Sequence, residues 1–219
     1  MVSKRLSAVW AFLAFCLLAA GGITIALSIV WRMPSLLFHF VVDDSFLTAG
    51  LALGIIYVAT FVIALIAIVQ PNHVTSFLAG LNWILLLDTL ATVAIGSMIW
   101  ISTLKERLMY DDKFNSAAFD TRTAIQDHFQ CCGYFFGNET QTQYGGFCSD
   151  ATFASNQTGC VTPLTGYADY TLNNIFTCIY GYTAILTALM LASICVINKR
   201  VEVERFKKID AKRGGKGFV

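Results

Sequence analysis

At 219 residues, with 56% of them hydrophobic, 13% charged and a formal net charge of +1, the chain falls outside the composition of an ordinary soluble domain. A near-neutral balance and a mean hydropathy of +0.64 exclude a basic nucleic-acid-binding domain, so no nucleic-acid partner is expected. The class that remains is an integral, multi-pass membrane protein.

Charged residues are absent between Arg5 and Arg32, between Asp44 and Asp88, between Asp88 and Lys105, and between Asp169 and Lys199. The second gap is divided at "QPNHVT", where Pro71 breaks a helix and Gln70, Asn72 and His73 interrupt the apolar run. The expected order is an N-terminal tail at 1–7, a first span at 8–31, a small loop at 32–45 and a second span at 46–69. A short loop at 70–75, a third span at 76–101, a large loop at 102–174, a fourth span at 175–197 and a basic tail at 198–219 complete it. About 20 residues of helix cross roughly 30 Å of hydrocarbon, and four lone strands could not close a barrel, so the spans are read as α-helices. Lys4 and Arg5 before an apolar run resemble a secretory leader, but the run continues past Gly22 through "ITIALSIVW" to Trp31, beyond the length of such a leader.

Lysine and arginine near the span ends set the orientation. Lys4 and Arg5 precede the first span and eight basic residues follow the last, whereas the first loop has Arg32 alone. Both termini are therefore expected in the cytoplasm, with the loops at 32–45 and 102–174 outside. The large loop also holds the sequons "NET" at Asn138 and "NQT" at Asn156, which makes both asparagines candidate glycosylation sites. Four of the seven cysteines lie there too, in a compartment that would oxidise them.

Cys131, Cys132 and Gly133 open that set as "CCG". Adjacent α-carbons stand about 3.8 Å apart, whereas bridged cysteines usually need roughly 4.4–6.8 Å, so the pair is poorly placed to bond to itself and each member needs a separate partner. Of the three connectivities open to Cys131, Cys132, Cys148 and Cys160, geometry removes the one containing a Cys131–Cys132 bond and leaves the other two open. Gly133 can take positive φ without a Cβ clash, which suits a chain turning away from a double anchor.

The CCG motif, the later Cys148 and Cys160 (the latter after Gly159), and four spans with a small first and a large second outer loop resemble the tetraspanin family over essentially the whole chain. The resemblance implies an all-α membrane protein of four transmembrane helices with a mainly helical, disulfide-stapled second outer loop. It also implies the pairing Cys131–Cys160 and Cys132–Cys148, and four helices that enclose a sterol-sized cavity; no other cofactor and no metal is expected. The sequence departs from the family pattern at "GGFC", where a proline–x–serine–cysteine is frequent, and in a fifth cysteine, Cys178, at the mouth of the last span.

Between Gly96 and Gly133 no glycine or proline intervenes, and Leu104, Leu108, Ala118, Ile125 and Phe129 recur near helical spacing. The third span is therefore expected to continue as a helical stalk. After Cys132 the composition turns to Gly, Asn, Thr, Gln and Ser through about residue 163, an irregular head that disulfides must hold and that carries the recognition surface.

Within the spans Asp88 demands an account, because an aspartate at mid-membrane costs about 2.5–3.5 kcal/mol on insertion scales. Two readings apply: a proton or cation site, or a carboxyl hydrogen-bonded to another helix, with Asn82 as a second polar group on the same helix. No second charged residue stands within the spans to complete a relay, which favours the second reading. Gly50 and Gly54 form a GxxxG that Gly21 and Gly22 of the first helix could face at close approach.

Catalysis has little support, since His39, His73 and His128 occur singly and no nucleophile motif is present. The chain is read as having no enzymatic activity. The tail from Lys199 carries eight basic and three acidic residues, which suits anionic lipid headgroups. Cys195, within a turn of the inner end of the last span, is a palmitoylation candidate, whereas Cys16 reads as core. These features point to a membrane scaffold, in the plasma membrane or an endomembrane, that binds other membrane proteins or further copies of itself and organises them into microdomains. The alternative is a small transporter or channel subunit built round Asp88.

Overall fold

The structure, a computed structural model, describes residues 4–32, 36–70 and 75–213. Positions 71–74 of the short loop with His73, 33–35 of the small loop, and both ends of the chain, including Lys216, lie outside the described residues. Among the described residues there are eight helices and no strand: α1 (Lys4–Val30), α2 (Leu36–Val41), α3 (Asp44–Val69), α4 (Ser76–Thr103), α5 (Glu106–Ser116), α6 (Phe119–Phe129), α7 (Ala151–Ser155) and α8 (Val161–Lys212). Four of them, α1, α3, α4 and α8, are long and apolar enough to cross a membrane, as the helices of a multi-pass integral membrane protein must be. Each leaves large apolar side chains such as Phe12, Ile55, Leu87 and Leu191 exposed, a pattern suited to a hydrocarbon surround.

The chain divides into two compact units, one of Met1–Leu27, Gly50–Ala94 and Ile179–Val219, the other of Ser28–Ala49 and Ile95–Cys178. The first is a helical bundle whose buried side chains include Trp10, Leu17, Tyr57, Leu81, Leu85 and Leu186. Its helices are joined by polar contacts as well as apolar ones. The Trp10 indole N–H of α1 donates to Ser193 of α8 at 2.9 Å, and Tyr57 of α3 and Thr92 of α4 share a hydrogen bond of 2.7 Å. Arg200, only 3% exposed, donates to the Ile68 carbonyl at 3.0 Å and the Gln70 carbonyl at 3.5 Å, satisfying acceptors that the end of α3 leaves open. The buried Arg200 is thus withdrawn from the basic face of the tail, and Lys199 and Lys207 are paired with Glu202 and Glu204.

The second unit is built round α5 and α6. Tyr110, Phe114 and Ile125 are fully buried, and α2 docks through ring stacking of Phe40 on Tyr110, with the Tyr110 hydroxyl donating to the Val41 carbonyl at 3.2 Å. Lys113 pairs with Asp43 at 2.7 Å beside it.

One expectation is corrected. The stalk is not one helix continued from the third span: the chain turns at Leu104–Lys105 and again at Ala117–Ala118, both of which are extended at ψ 151° and 157°. At the second break the Ser116 hydroxyl donates to the Asp112 and Lys113 carbonyls and Asn115 bonds back to Asp111. The helix that contains the fourth span begins at Val161, immediately after Cys160, and runs for 52 residues. Pro163 is compatible with this because it stands in the first turn, where a backbone N–H has no intrahelical partner.

Close approach of α1 and α3 falls on Gly21 and Gly54. A Cβ on Gly54 would stand 2.6 Å from Ile25 Cγ1 and 3.0 Å from the Gly21 carbonyl oxygen, whereas one on Gly22 would meet nothing within 4 Å. Gly22 therefore lies off the contact, and Gly50 is half-buried. Gly54→Leu is expected to cost about 1–3 kcal/mol and lower the thermal midpoint in detergent micelles, because both neighbours it meets include backbone. Gly22→Leu should leave that midpoint near the parent's, its effect on stability staying within about 0.5 kcal/mol.

Candidate functional site

The double cysteine follows directly on the end of α6. Gln130 closes that helix in the left-handed region at φ 51°, and the Cys131 N–H returns to the Gln126 carbonyl at 3.2 Å. Cys131 is bonded to Cys160, with α-carbons 5.0 Å apart, and Cys132 to Cys148, with α-carbons 5.9 Å apart. All four sulfurs belong to residues no more than 1% exposed. Gly133 takes φ +69°, and a Cβ there would stand 2.0 Å from the Phe136 carbonyl oxygen, so the turn away from the anchor requires glycine.

Beyond that turn one carboxylate organises the backbone. Glu139 accepts from the N–H groups of Tyr134 at 2.9 Å, Phe135 at 3.1 Å and Phe136 at 3.1 Å, three donors that point inward from consecutive residues. The same segment pairs with the end of the head. Cys132 N–H donates to the Thr158 carbonyl, Cys160 N–H to Gly133 and Val161 N–H to Tyr134, with a single antiparallel bridge between Phe136 and Thr158. Farther along, Gln126 of α6 accepts from the Gln143 N–H at 3.2 Å and Asp127 accepts from the Phe147 N–H at 2.6 Å. Asp150 caps α7 through the Phe153 N–H at 2.7 Å, and the Thr152 hydroxyl together with that N–H holds its carboxyl below the usual carboxylate range. None of Glu139, Gln126 or Asp127 stood out in the sequence.

On this frame the head exposes aromatic side chains. Phe136 is 69% exposed, and Phe135, Tyr144 and Phe153 are also exposed. Asn138 and Asn156 are both exposed. Cys178 and Cys195 are free and exposed, and Cys16 is free and half-buried.

The intramembrane polar residues lie in the first unit. Thr60 of α3 donates to Asp88 Oδ2 at 2.7 Å, and the Thr92 hydroxyl, shared with Tyr57, also bonds the Asp88 carbonyl. The contact that serves Asp88 thus comes from another helix, and both Tyr57 and Thr60 escaped the sequence reading. Asn82 is not brought into that network: its Oδ1 is buried with no hydrogen-bond partner among the described residues.

A second acid is buried in the other unit. Glu106, at the start of α5, is 5% exposed and its Oε1 has no hydrogen-bond partner among the described residues. Burial, then the Asp169 carboxylate beside it and the hydrogen bond between the two acids, push the Glu106 carboxyl up to about 7. Burial likewise raises the phenols of Tyr110 and Tyr134, which face Glu106.

Comparison with family models, with curated proteins and with solved structures finds no match to this chain. The site is therefore read from its own chemistry.

Two outcomes are expected of the head. Replacing Cys132 and Cys148 together by Ala opens a loop with a sequence separation of 16, and replacing Cys131 and Cys160 opens one of 29. On chain-entropy arguments the losses are about 3 and about 3.5 kcal/mol. Hydrogen exchange on the full chain should show the first change accelerating exchange round 134–150, and the second accelerating it across the whole head, with α1, α3 and α4 protected in both.

Glu106 generates a pH dependence with a definite sign. An acid whose folded pKa is raised binds more protons folded than unfolded, so its contribution is most favourable below its ordinary value of 4.5 and declines as pH rises toward about 7. The thermal midpoint of the second unit should fall between about pH 5 and about pH 8, and Glu106→Gln should flatten that decline.

Proposed function

We propose that the chain is a non-enzymatic, tetraspanin-like membrane scaffold. In this reading both termini are cytoplasmic, the head is extracellular or lumenal, and it binds partner membrane proteins laterally to organise them into microdomains. The observation that carries the reading is a polar, irregular segment fixed at four cysteines that presents Phe135 and Phe136 to solvent. Exposed aromatic rings on a rigid frame bury large area on binding at little cost in conformational entropy. The Gly21–Gly54 contact and the Thr60–Asp88 bond support it further, because they are the packing devices of a compact membrane bundle. Glycans at Asn138 and Asn156, a palmitoyl group at Cys195 and contact of the tail with anionic lipid belong to the same reading.

A photo-crosslinking side chain placed at Phe136, irradiated in intact membranes, tests it. The expected result is a small set of membrane-protein adducts that Phe135→Ser disperses while both disulfides remain intact, and that Asp88→Asn leaves unchanged. No adducts, or ion flux in liposomes that Asp88→Asn abolishes, would overturn the scaffold reading in favour of a transporter.

A further inference from the structure

Where α4 ends, a cleft of about 490 Å³ is lined by Trp100, Thr103, Asp169, Tyr170, Asn173 and Phe176. All six belong to the second unit. The volume falls within the roughly 300–1,000 Å³ of small-molecule sites. Trp100 and Thr103 close a helix long and apolar enough to cross a membrane, which puts the cleft at the level of lipid headgroups.

The lining has a specific chemistry. Three aromatic rings, from Trp100, Tyr170 and Phe176, stand round one hollow with a single exposed carboxylate, Asp169, and no lining residue is basic. Tyr170 is 73% exposed and Trp100 is 52% exposed, so neither ring is accounted for by burial in a protein core. Behind Asp169 lies the buried carboxyl of Glu106, with one oxygen lacking a hydrogen-bond partner among the described residues. The exposed Asp169 carboxylate places negative charge beside the rings, which a cation in the cleft would offset.

The kind of cation follows from what the walls offer. Hard metal ions take six to eight oxygen ligands, and a carboxylate, an amide and a hydroxyl supply too few. A primary ammonium needs its three N–H groups satisfied in fixed directions. A quaternary ammonium group carries no N–H and asks only for ring faces and a diffuse negative charge. We propose that this cleft binds a trimethylammonium group, supplied either by the choline head of a membrane lipid or by a free choline-like solute. This site is separate from the exposed rings of the head and would give the protein a direct contact with choline lipid at its boundary.

The test uses the full chain in a sugar-based detergent with no choline lipid present. Saturation transfer to the methyl protons of tetramethylammonium chloride is the readout. Binding is expected, weakened about tenfold by Asp169→Asn and comparably by Tyr170→Leu, as removal of the charge or of a ring face requires. Both side chains are exposed, so helix content by circular dichroism and both disulfides should be unchanged, and the loss can be assigned to the cleft. Nanodiscs then separate the sources. If a lipid head is the ligand, phosphatidylcholine nanodiscs abolish the transfer and phosphatidylglycerol nanodiscs do not; if a free solute is the ligand, transfer persists in both. Absent transfer, transfer undiminished in both variants, or equal transfer to methylammonium would overturn the proposal.

Discussion

The head depends on the double anchor at Cys131 and Cys132. The segment from Gly133 to Gly159 is rich in polar residues and short of aliphatic ones, so it cannot bury enough apolar surface to offset the entropy of ordering it. One buried cluster there consists of Cys132, Cys148 and Ala154, with Phe147 packed against them, and two of those three residues are joined by a disulfide. Two adjacent anchors fix both the position and the direction of the departing chain. Only then do the Tyr134, Phe135 and Phe136 N–H groups converge on the Glu139 carboxylate. Without the anchors that clasp would have to order three residues by itself against about 1–2 kcal/mol of backbone entropy for each.

The four apolar runs, the CCG branch point and the positive φ of Gly133 were legible because each follows from a local rule: hydrocarbon thickness, the reach of a disulfide, the absence of a Cβ. Helix ends were not. Apolarity marks where a chain in lipid must be helical, not where the helix stops, and α8 extends before its apolar run because Leu164, Ala168 and Leu172 are buried at a spacing of four. That stripe was present in the sequence but masked by the Gly, Asn and Thr around it. The break after Ser116 was hidden for the opposite reason, since no glycine or proline announces it. Glu139 was illegible because its role depends on a turn that brings three consecutive N–H groups onto one carboxylate, which no spacing in the sequence marks.

The first unit is held by a different balance. In lipid, apolar side chains gain little by leaving one hydrocarbon for another, so close contact and hydrogen bonds decide which faces meet. The Gly21–Gly54 contact brings two backbones together, and two hydrogen bonds link α3 to α4, one between the Tyr57 and Thr92 hydroxyls and one from the Thr60 hydroxyl to the Asp88 carboxyl. Sequence spacing gave the glycine motif but not which of its neighbours it met, because Gly21 and Gly22 differ by about 100° round a helix and only the packing chooses between them.

Two buried acids complete the contrast between packing and function. Asp88 and Glu106 are equally exposed, at 5%, and a burial criterion alone would treat them alike. Asp88 has a hydroxyl from a neighbouring helix aimed at its Oδ2, so its desolvation is answered within the fold. Glu106 faces another acid, and one of its oxygens meets no donor among the described residues. An answered carboxyl needs nothing further to explain it. The Glu106 carboxyl instead shares its hydrogen bond with a second acid that opens onto aromatic walls, and this difference in partners separates the two buried acids.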